Sequence, residues 1–260
     1  MKKTLIALAV AATAAVSGSA MADWAPTLSS NSVTLGGTLT PESKDKSVWE
    51  VSAGAERLGL NAEIPEGVTA VDISIDSGIP VLGIRSVSGG FKGNAGSVGL
   101  IPNIKFNSGK INDVSFSQPE STATFSLNIM DDEGKDIGSL SAKLQSVGLA
   151  QNASDASSLN AHGPEYAFYG GLPRTATHTV KGADALTLAE KLFPGVLQNW
   201  NKNIDVKTAY TWQFGDENKI YNAAYAAGIP ANSTIKINLT SPLKEETQWK
   251  AQLPVEVSFN

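Results

Sequence analysis

The nine residues Ser32–Thr40 read SVTLGGTLT, and the rest of the chain is best interpreted from this stretch outward. Val33, Leu35, Gly37 and Leu39 fall on one side of an extended strand, and threonines and a glycine fall on the other. Alternation with a period of two is typical of a half-buried β-strand. A strand near a free end either completes its own sheet or adds to an open sheet edge of another copy, because strand addition needs only an edge and side-chain pockets.

The first 22 residues predict a cleaved signal peptide. Two lysines precede an apolar run at Leu5–Val16, and Ala20 and Ala22 occupy the −3 and −1 places of an A-x-A-like cleavage site. The apolar run is shorter than the about 20 residues of a membrane-spanning helix. We therefore expect a mature chain that starts at Asp23, contains 260 − 22 = 238 residues and is exported.

Charge and cysteine content exclude several classes of function. The 260-residue chain has a formal net charge of −5, and loss of the two leader lysines makes it −7. An acidic chain lacks the electrostatic footprint of a nucleic-acid-binding protein. The chain has no cysteine, which excludes thiol nucleophiles, thiolate metal sites and disulfides. A chain of this length buries a core without disulfides.

The mature chain is predicted to be rich in β-strands. Two stretches of small and polar residues, Ser86–Gly99 and Gln151–Gly163, are predicted to be loops. The acidic piece DDEGKD, Asp131–Asp136, predicts a hairpin turn. Many short alternating strands with glycine-rich turns favour a β-sandwich. The strand-like stretches are Val48–Val51, Val71–Ile75, Pro80–Arg85, Ile101–Phe106, Ala123–Ile129, Leu140–Leu144 and Ile235–Leu239.

The clearest strand signal lies at the C-terminal end of the chain. Six apolar residues alternate there without interruption: Trp249, Ala251, Leu253, Val255, Val257 and Phe259. Pro254 is out of phase with this row and has no amide hydrogen to donate. We therefore expect a bulge or an unpaired position at Pro254.

A helical period interrupts the strands in the region from Ala183 to Trp200. Asp184 is the predicted cap of a first helix, and Pro194-Gly195 is its predicted stop. A second short helix is predicted over Val196–Trp200. The residues with i, i+3, i+4, i+7 spacing are Ala185, Leu188, Ala189 and Leu192. We interpret the region as an insertion between strands of a single domain.

Seven pieces of the chain, in this order and spacing, carry a resemblance to a known family. They are MKKTLIALAV with its AMA exit, SVTLGGTLT, WEV at Trp49–Val51, IPNIKF at Ile101–Phe106, FYGGL at Phe168–Leu172, AAYAAGI at Ala223–Ile229, and QWKAQLPVEVSF at the end. With them the chain resembles the major subunits of kappa-class chaperone–usher fimbriae of enteric bacteria, the FaeG/ClpG-type pilins. The resemblance covers nearly the whole chain and is weaker over residues 151–163 and 181–208.

The resemblance implies an incomplete immunoglobulin-like β-sandwich over residues 41–260, with an inserted helical region at about 165–210. This sandwich would lack its last strand. A periplasmic chaperone would first fill the resulting gap, and residues 23–40 of the next subunit would then replace the chaperone. The product would be a homopolymer, exported with the help of an outer-membrane usher. Val33, Leu35, Gly37 and Leu39 would be the donor residues. The acceptor groove would be flanked by the row Trp249, Ala251, Leu253, Val255, Val257 and Phe259. The family's last strand commonly ends near a tyrosine, where this chain has Phe259.

The resemblance also implies adhesion to host glycoconjugates in some members, through the inserted region that maps onto Phe168–Tyr210. Aromatic rings stack on the apolar faces of sugars and bury large rigid areas. Tyr169, Trp200 and Tyr210, together with Arg174, are therefore the candidate carbohydrate-binding residues.

No enzymatic activity, metal or cofactor is expected. His162 and His178 are the only histidines and do not make a zinc set, and DDEGKD does not match the calcium-loop pattern. No nucleophile elbow or dinucleotide-binding motif occurs. Two other functions stay open from the residues: a secreted monomeric lectin-like β-sandwich that binds carbohydrate without polymerising, and a periplasmic glycan hydrolase.

Overall fold

The computed structural model describes residues 47–107 and 114–260. Within these ranges no helix is long and apolar enough to cross a membrane. The predicted signal peptide and the predicted donor strand lie outside the described residues. The strands are β1 (Trp49–Ala53), β2 (Ala70–Ile75), β3 (Ile79–Ser86), β4 (Phe91–Lys92), β5 (Pro102–Phe106), β6 (Thr122–Met130), β7 (Asp136–Gln151), β8 (Ala156–Leu159), β9 (Val206–Tyr210), β10 (Ile220–Ile229), β11 (Ser233–Leu239) and β12 (Val255–Phe259), and the α-helix is α1 (Gly182–Leu192).

The strands form two sheets of unequal size. Ten of them make one sheet with the order β1-β3-β10-β7-β11-β2, in which β6 and β8 also pair with β7, β4 with β10, and β9 with β8. The pairing of β8 with β9 is parallel, and the other pairings are antiparallel. The second sheet consists of β5 and β12. The predicted all-β fold with a small helical insertion is confirmed.

The main core lies between the two sheets. Ile104 and Phe106 of β5 share one apolar cluster with Leu127 of β6, Leu144 of β7 and Ile235 of β11. These residues alternate with more exposed ones along each strand, which is how the period-two pattern of the sequence produces a face for the core. The hairpin turn predicted at DDEGKD joins β6 to β7, where the Asp131 carboxylate accepts backbone hydrogen bonds from residues 133 and 135.

A second apolar cluster lies on the other face of the large sheet, under α1. Val147 and Leu149 of β7 pack there against Ala185 and Ala189 of the helix. The burial of β7 follows from this arrangement: it alternates over residues 138–144, and every residue is buried over 146–151. A strand covered on both faces loses its alternation. The alanines of β10 lie beside this part of β7 and allow the helix to approach closely.

The helix lies where the sequence predicts it and ends at Leu192, just before the predicted stop at Pro194-Gly195, but its predicted cap needs correction. Lys181 is at the N-cap position without a side-chain hydrogen bond, and Asp184 lies in the first turn of the helix instead of capping it. The second helix predicted over Val196–Trp200 is wrong, because these residues form turns. The Glu190 carboxylate accepts hydrogen bonds from the backbone N–H groups of Gly195 and Leu197, at 2.9 and 3.1 Å, and holds the turns against α1.

Both stretches predicted to be loops contain a short strand. In the first, Phe91 belongs to β4 and is 4% exposed, with its ring 5.0 Å from that of Phe214. In the second, the four residues of β8 are all buried between β7 and β9. The sequence of β8 is ASSL, so it offers no alternation of apolar and polar residues to mark it as a strand.

Candidate assembly edge and ligand cleft

Strand β12 is paired along one edge only in the described part of the chain. It runs antiparallel to β5, with Val257 opposite Ile104. Asn260 and Ile101 exchange both of their backbone hydrogen bonds, at 3.0 and 3.3 Å. Hydrogen-bonded pairs alternate along an antiparallel ladder. The backbone groups of Val257 and its odd-numbered neighbours, Val255 and Phe259, therefore point away from β5, to what we call the open edge.

The core-facing side chains of this C-terminal segment are only half buried. Trp249, Ala251, Leu253, Val255 and Val257 pack against the main core and keep part of their surface exposed, and Phe259 is 38% exposed. Leu144, in the middle of the large sheet, is fully buried. A core-facing row is normally covered by neighbours on both sides, so the half-buried row marks a place where apolar cover is incomplete.

The segment that leads into β12 is irregular. Lys250 and Met130 of β6 exchange backbone hydrogen bonds at 2.8 and 2.9 Å, and the N–H of Asn107 donates to the carbonyl oxygen of Pro254 at 3.0 Å. No named strand includes residues 251–254. The predicted C-terminal strand is therefore regular only from Val255. Pro254 keeps a ladder hydrogen bond through its carbonyl oxygen, so it is not the unpaired position that the sequence led us to expect.

A cleft of about 530 Å³ lies against the same two strands. One wall is formed by Tyr169 and Arg174, whose Nη2 donates to the tyrosine hydroxyl at 3.4 Å. The guanidinium carbon lies 5.9 Å from the centre of the tyrosine ring, within the range of a cation–π interaction. Across the cleft, β12 contributes Glu256 and Ser258. These two residues alternate with the core-facing row, so they belong to the outer face of the strand.

The floor of the cleft is formed by β5. Asn103 and Lys105 alternate with the buried Ile104, and the Asn103 amide donates to the carbonyl oxygen of Pro164 at 3.1 Å. The cleft thus combines cationic, anionic and amide groups around a tyrosine ring. A ligand rich in hydroxyl groups suits this mixture, because each hydroxyl both donates and accepts. In the described ranges no group of three His, Cys, Asp or Glu side chains is placed to hold a metal.

The glycine pair of FYGGL allows the tyrosine wall to approach β5. Gly170 has φ +82°, and a Cβ there would fall on the carbonyl oxygen of Ile104. The N–H of Ile104 donates to the carbonyl oxygen of Tyr169 at 2.8 Å, and Asn103 and Tyr169 form a parallel bridge. Tyr169 is thereby held beside β5 by the backbone, whereas its ring stands in the cleft.

Comparison with known proteins identifies the family. The model of the family described as "Fimbrial, major and minor subunit" matches residues 1–260. K88 fimbrial protein AC and K88 fimbrial protein AB of Escherichia coli are each 32% identical to the chain, over 286 and 291 aligned positions. F41 fimbrial protein of Escherichia coli is 27% identical over 300 positions. Each of these alignments covers 100% of both proteins.

The chain belongs to this family of fimbrial subunits. The resemblance to fimbrial subunits that the sequence suggested is confirmed. The fimbrial subunit is a structural protein and not an enzyme. Its family implies a place in a cell-surface fimbrium, assembled with other subunits.

The structure brings two of the four predicted carbohydrate-binding residues of the fimbrial subunit together. Tyr169 and Arg174 share the cleft. Trp200 is 7% exposed and packs in the cluster under α1, so its ring presents no face to a ligand and the sequence-based choice of this residue is corrected. Tyr210 is 67% exposed at the end of β9 and does not line the cleft. The predicted donor residues, Val33, Leu35, Gly37 and Leu39, lie outside the described residues.

Sequence reasoning missed two residues of the cleft. Asn103 and Lys105 sit between the apolar residues of IPNIKF, and alternation alone assigns them to the outer face, but only the fold places them beside Tyr169.

Proposed function

We propose that this fimbrial subunit is a major structural subunit that polymerises by donor-strand exchange. In this mechanism, Ser32–Thr40 of one copy pairs with the open edge of β12 in the preceding copy. The observation that carries the proposal is the state of β12, which is paired along one edge and has a half-buried core-facing row. Such an edge offers both backbone partners and apolar pockets, which are the two requirements for strand addition.

The donor stretch is long enough to cover this edge, and its apolar residues have the period of a β-strand. Its nine residues exceed the five residues of β12. Val33, Leu35 and Leu39 repeat every second or fourth residue, which is the spacing of side chains on one face of a strand. Full burial of each such side chain contributes roughly 1.5–3 kcal/mol, and the backbone hydrogen bonds add to this. These contributions are sufficient for a stable joint between two subunits.

The proposal includes two helper proteins on the way to the cell surface. An open edge with apolar side chains pairs readily with other chains and promotes aggregation. A periplasmic chaperone therefore covers β12 until the donor strand arrives, and an outer-membrane usher brings the two subunits together. Export through the periplasm is consistent with the leader sequence at residues 1–22.

Deletion of residues 32–40 tests the polymerisation mechanism. We expect the shortened chain to be recovered with the chaperone and to give no filaments under the electron microscope. Leu35→Asp is expected to have the same effect, because it places a charge on the core-facing side of the donor strand. Thr38→Asp, on the opposite side of the same strand, is the matched control and is expected to assemble. Filaments formed without residues 32–40 would overturn the mechanism, and a self-sufficient monomer would favour a lectin-like protein.

We also propose that the subunit binds host glycoconjugates in the cleft beside Tyr169. Three features support this second function: an aromatic ring in the wall, an exposed guanidinium over it, and side-chain donors and acceptors along β5 and β12. Tyrosine rings bury a large rigid area against an apolar sugar face, and the polar groups fix the orientation of the hydroxyls.

Glycan binding by purified fimbriae tests the cleft. Tyr169→Ala is expected to weaken binding at least about tenfold, because it removes both the stacking surface and the partner of Arg174. Tyr210→Ala removes a more exposed tyrosine outside the cleft and serves as the control. If the loss follows Tyr210→Ala instead, the binding site is elsewhere in the inserted region. Fimbriae that bind no glycan would reject adhesion by this subunit and leave the polymerisation mechanism intact.

A further inference from the structure

Strand β1 is the element of the folded body that follows the N-terminal extension in the chain. If the extension of each subunit is held in the preceding subunit, as the proposed donor-strand exchange requires, tension along the fibre enters the body through Ser47 and Trp49. β1 pairs with β3 over five residues, from Trp49 opposite Ser86 to Ala53 opposite Leu82. A force on the leading end of a short strand acts first on the residues at that end, so their contacts with the rest of the body are the ones to examine.

The apolar anchorage of β1 is concentrated at its first residue. Trp49 is 5% exposed, whereas the four following residues of the strand are exposed. Its ring centre lies 5.0 Å from that of Phe91, 5.8 Å from Phe168 and 5.9 Å from Phe214. The backbone adds one further tie near this end, because the N–H of Val87 donates to the carbonyl oxygen of residue 48 at 3.0 Å.

The polar anchorage of β1 is concentrated at its second residue. The Arg85 Nε of β3 donates to the Glu50 carboxylate at 2.6 Å. Nη1 of the same guanidinium donates to the carbonyl oxygen of Gly195 at 2.7 Å and to Oε1 of Gln198 at 2.8 Å. Arg85 therefore joins β1, β3 and the turns that follow α1. The Glu190 carboxylate of α1 accepts backbone hydrogen bonds from these turns and so holds them to the helix.

We propose that Trp49, Glu50 and Arg85 form a mechanical anchor that carries tension from the N-terminal extension into the body of the subunit. The anchor spreads the force from one five-residue strand over the large sheet and the helical insertion. Its position explains why an Arg on the outer face of β3 uses three acceptors on two other elements. The inference rests on the proposed donor-strand exchange and goes beyond it by assigning a function to residues outside the acceptor edge.

Stretching of single fimbriae at constant force tests the anchor. We expect Arg85→Gln fimbriae to assemble and to unfold subunits about tenfold faster under tension, because charge-assisted hydrogen bonds at the leading end of β1 are lost. Glu50→Gln keeps the other two bonds of Arg85 and is expected to show a smaller increase. Asp155→Asn is the control, because it disrupts the 2.8 Å ion pair with Lys207 between β8 and β9, away from β1.

Urea unfolding of the same fimbriae separates a mechanical role from general stabilisation. The anchor predicts that Arg85→Gln raises the unfolding rate more under tension than in urea. Asp155→Asn is expected to change the unfolding rate little in either measurement. Equal effects of Arg85→Gln in the two measurements, or no effect under tension, would overturn the anchor. If fimbriae also form without residues 32–40, the donor-strand mechanism itself fails, which is a different result from intact fimbriae that are insensitive to Arg85→Gln.

Discussion

Tyr225 is the largest fully buried side chain among the described residues. Its ring stacks on that of Phe168 at 5.3 Å, and its hydroxyl donates to the carbonyl oxygen of Gly171 at 3.0 Å. A Cβ at Gly171 would lie 2.7 Å from this hydroxyl, so the position of the Tyr225 ring leaves no room for a side chain at Gly171. Burial raises the pKa of Tyr225 well above its ordinary value of 10.0.

The raised pKa predicts a loss of stability at alkaline pH. Tyr225 stays neutral in the folded protein while the unfolded chain ionises above pH 10, so its contribution is complete below pH 10 and is lost as the pH rises towards the folded pKa. Tyr225→Phe is expected to lower the free energy of unfolding by about 1 kcal/mol at neutral pH, through the lost hydrogen bond. It should also make the decline above pH 10 shallower. Urea unfolding at a series of pH values, with the exposed Tyr210→Phe as control, measures both effects; identical slopes would contradict the assignment.

Helix α1 depends on the small residues at its interface with the large sheet. Ala185 and Ala189 are 0% and 1% exposed and lie against Val147 and Leu149 of β7. On the sheet, Gly83 of β3 leaves room for the ring of Phe193, which would lie 2.6 Å from a Cβ at that position. The helix thus approaches the sheet closely because small residues, Ala185 and Ala189 on the helix and Gly83 on the sheet, face the larger side chains of the other surface. This close approach buries the second face of β7.

A larger side chain at this interface is expected to separate the helix from the sheet. Ala189→Leu should lower the free energy of unfolding by about 1–3 kcal/mol, which is the usual cost of overpacking a filled core. Ala183→Leu adds the same atoms at an exposed position of the same helix and should have little effect. Thermal unfolding followed by circular dichroism compares the two variants. Equal stability of the two would mean that the helix is not closely packed on the sheet.

At the scale of the whole fold, residues 47–107 and 114–260 form an unequal sandwich. In these residues the ten-stranded sheet covers one side of the main core, and β5 with β12 cover part of the other. The C-terminal row contributes five half-buried apolar residues to the main core, and two of them, Val255 and Val257, belong to the smaller sheet. An open edge therefore follows from the number of strands on each side of the core, and the polymerisation proposed above supplies the additional strand from a second copy.

A proline in β12 is expected to weaken the polymer without removing the fold. Val257→Pro deletes one N–H on the open edge and leaves the pairing with β5, and an edge strand tolerates proline where its N–H faces away from the ladder. We expect fimbriae with this change to dissociate at lower temperature, seen as a loss of multimers on a gel after heating. Asp72→Pro makes the same change on the outer edge of β2 and should leave the multimers unchanged. Unaltered heat resistance of Val257→Pro fimbriae would show that β12 is not the acceptor edge.

The sequence alone determined most strands, the helix and the classes of chemistry that are absent. A strand with one covered face carries a period of two, as in β6, and α1 carries a period of 3.6, so both are visible in a short window of residues. The absence of cysteine excludes disulfides and thiolate chemistry in any conformation. The family resemblance also followed from the order of short pieces along the chain.

Only the tertiary structure decided which residues lie side by side. β8 is a strand because β7 and β9 flank it, and its ASSL sequence has no period to reveal this. Trp200 is a core residue because α1 folds over the large sheet, although from the sequence it was a candidate for sugar binding. The bonds of Arg85 to Gly195 and Gln198 join residues 110 and 113 positions apart. A local pattern reports the faces of one element, whereas such neighbours depend on how distant elements meet.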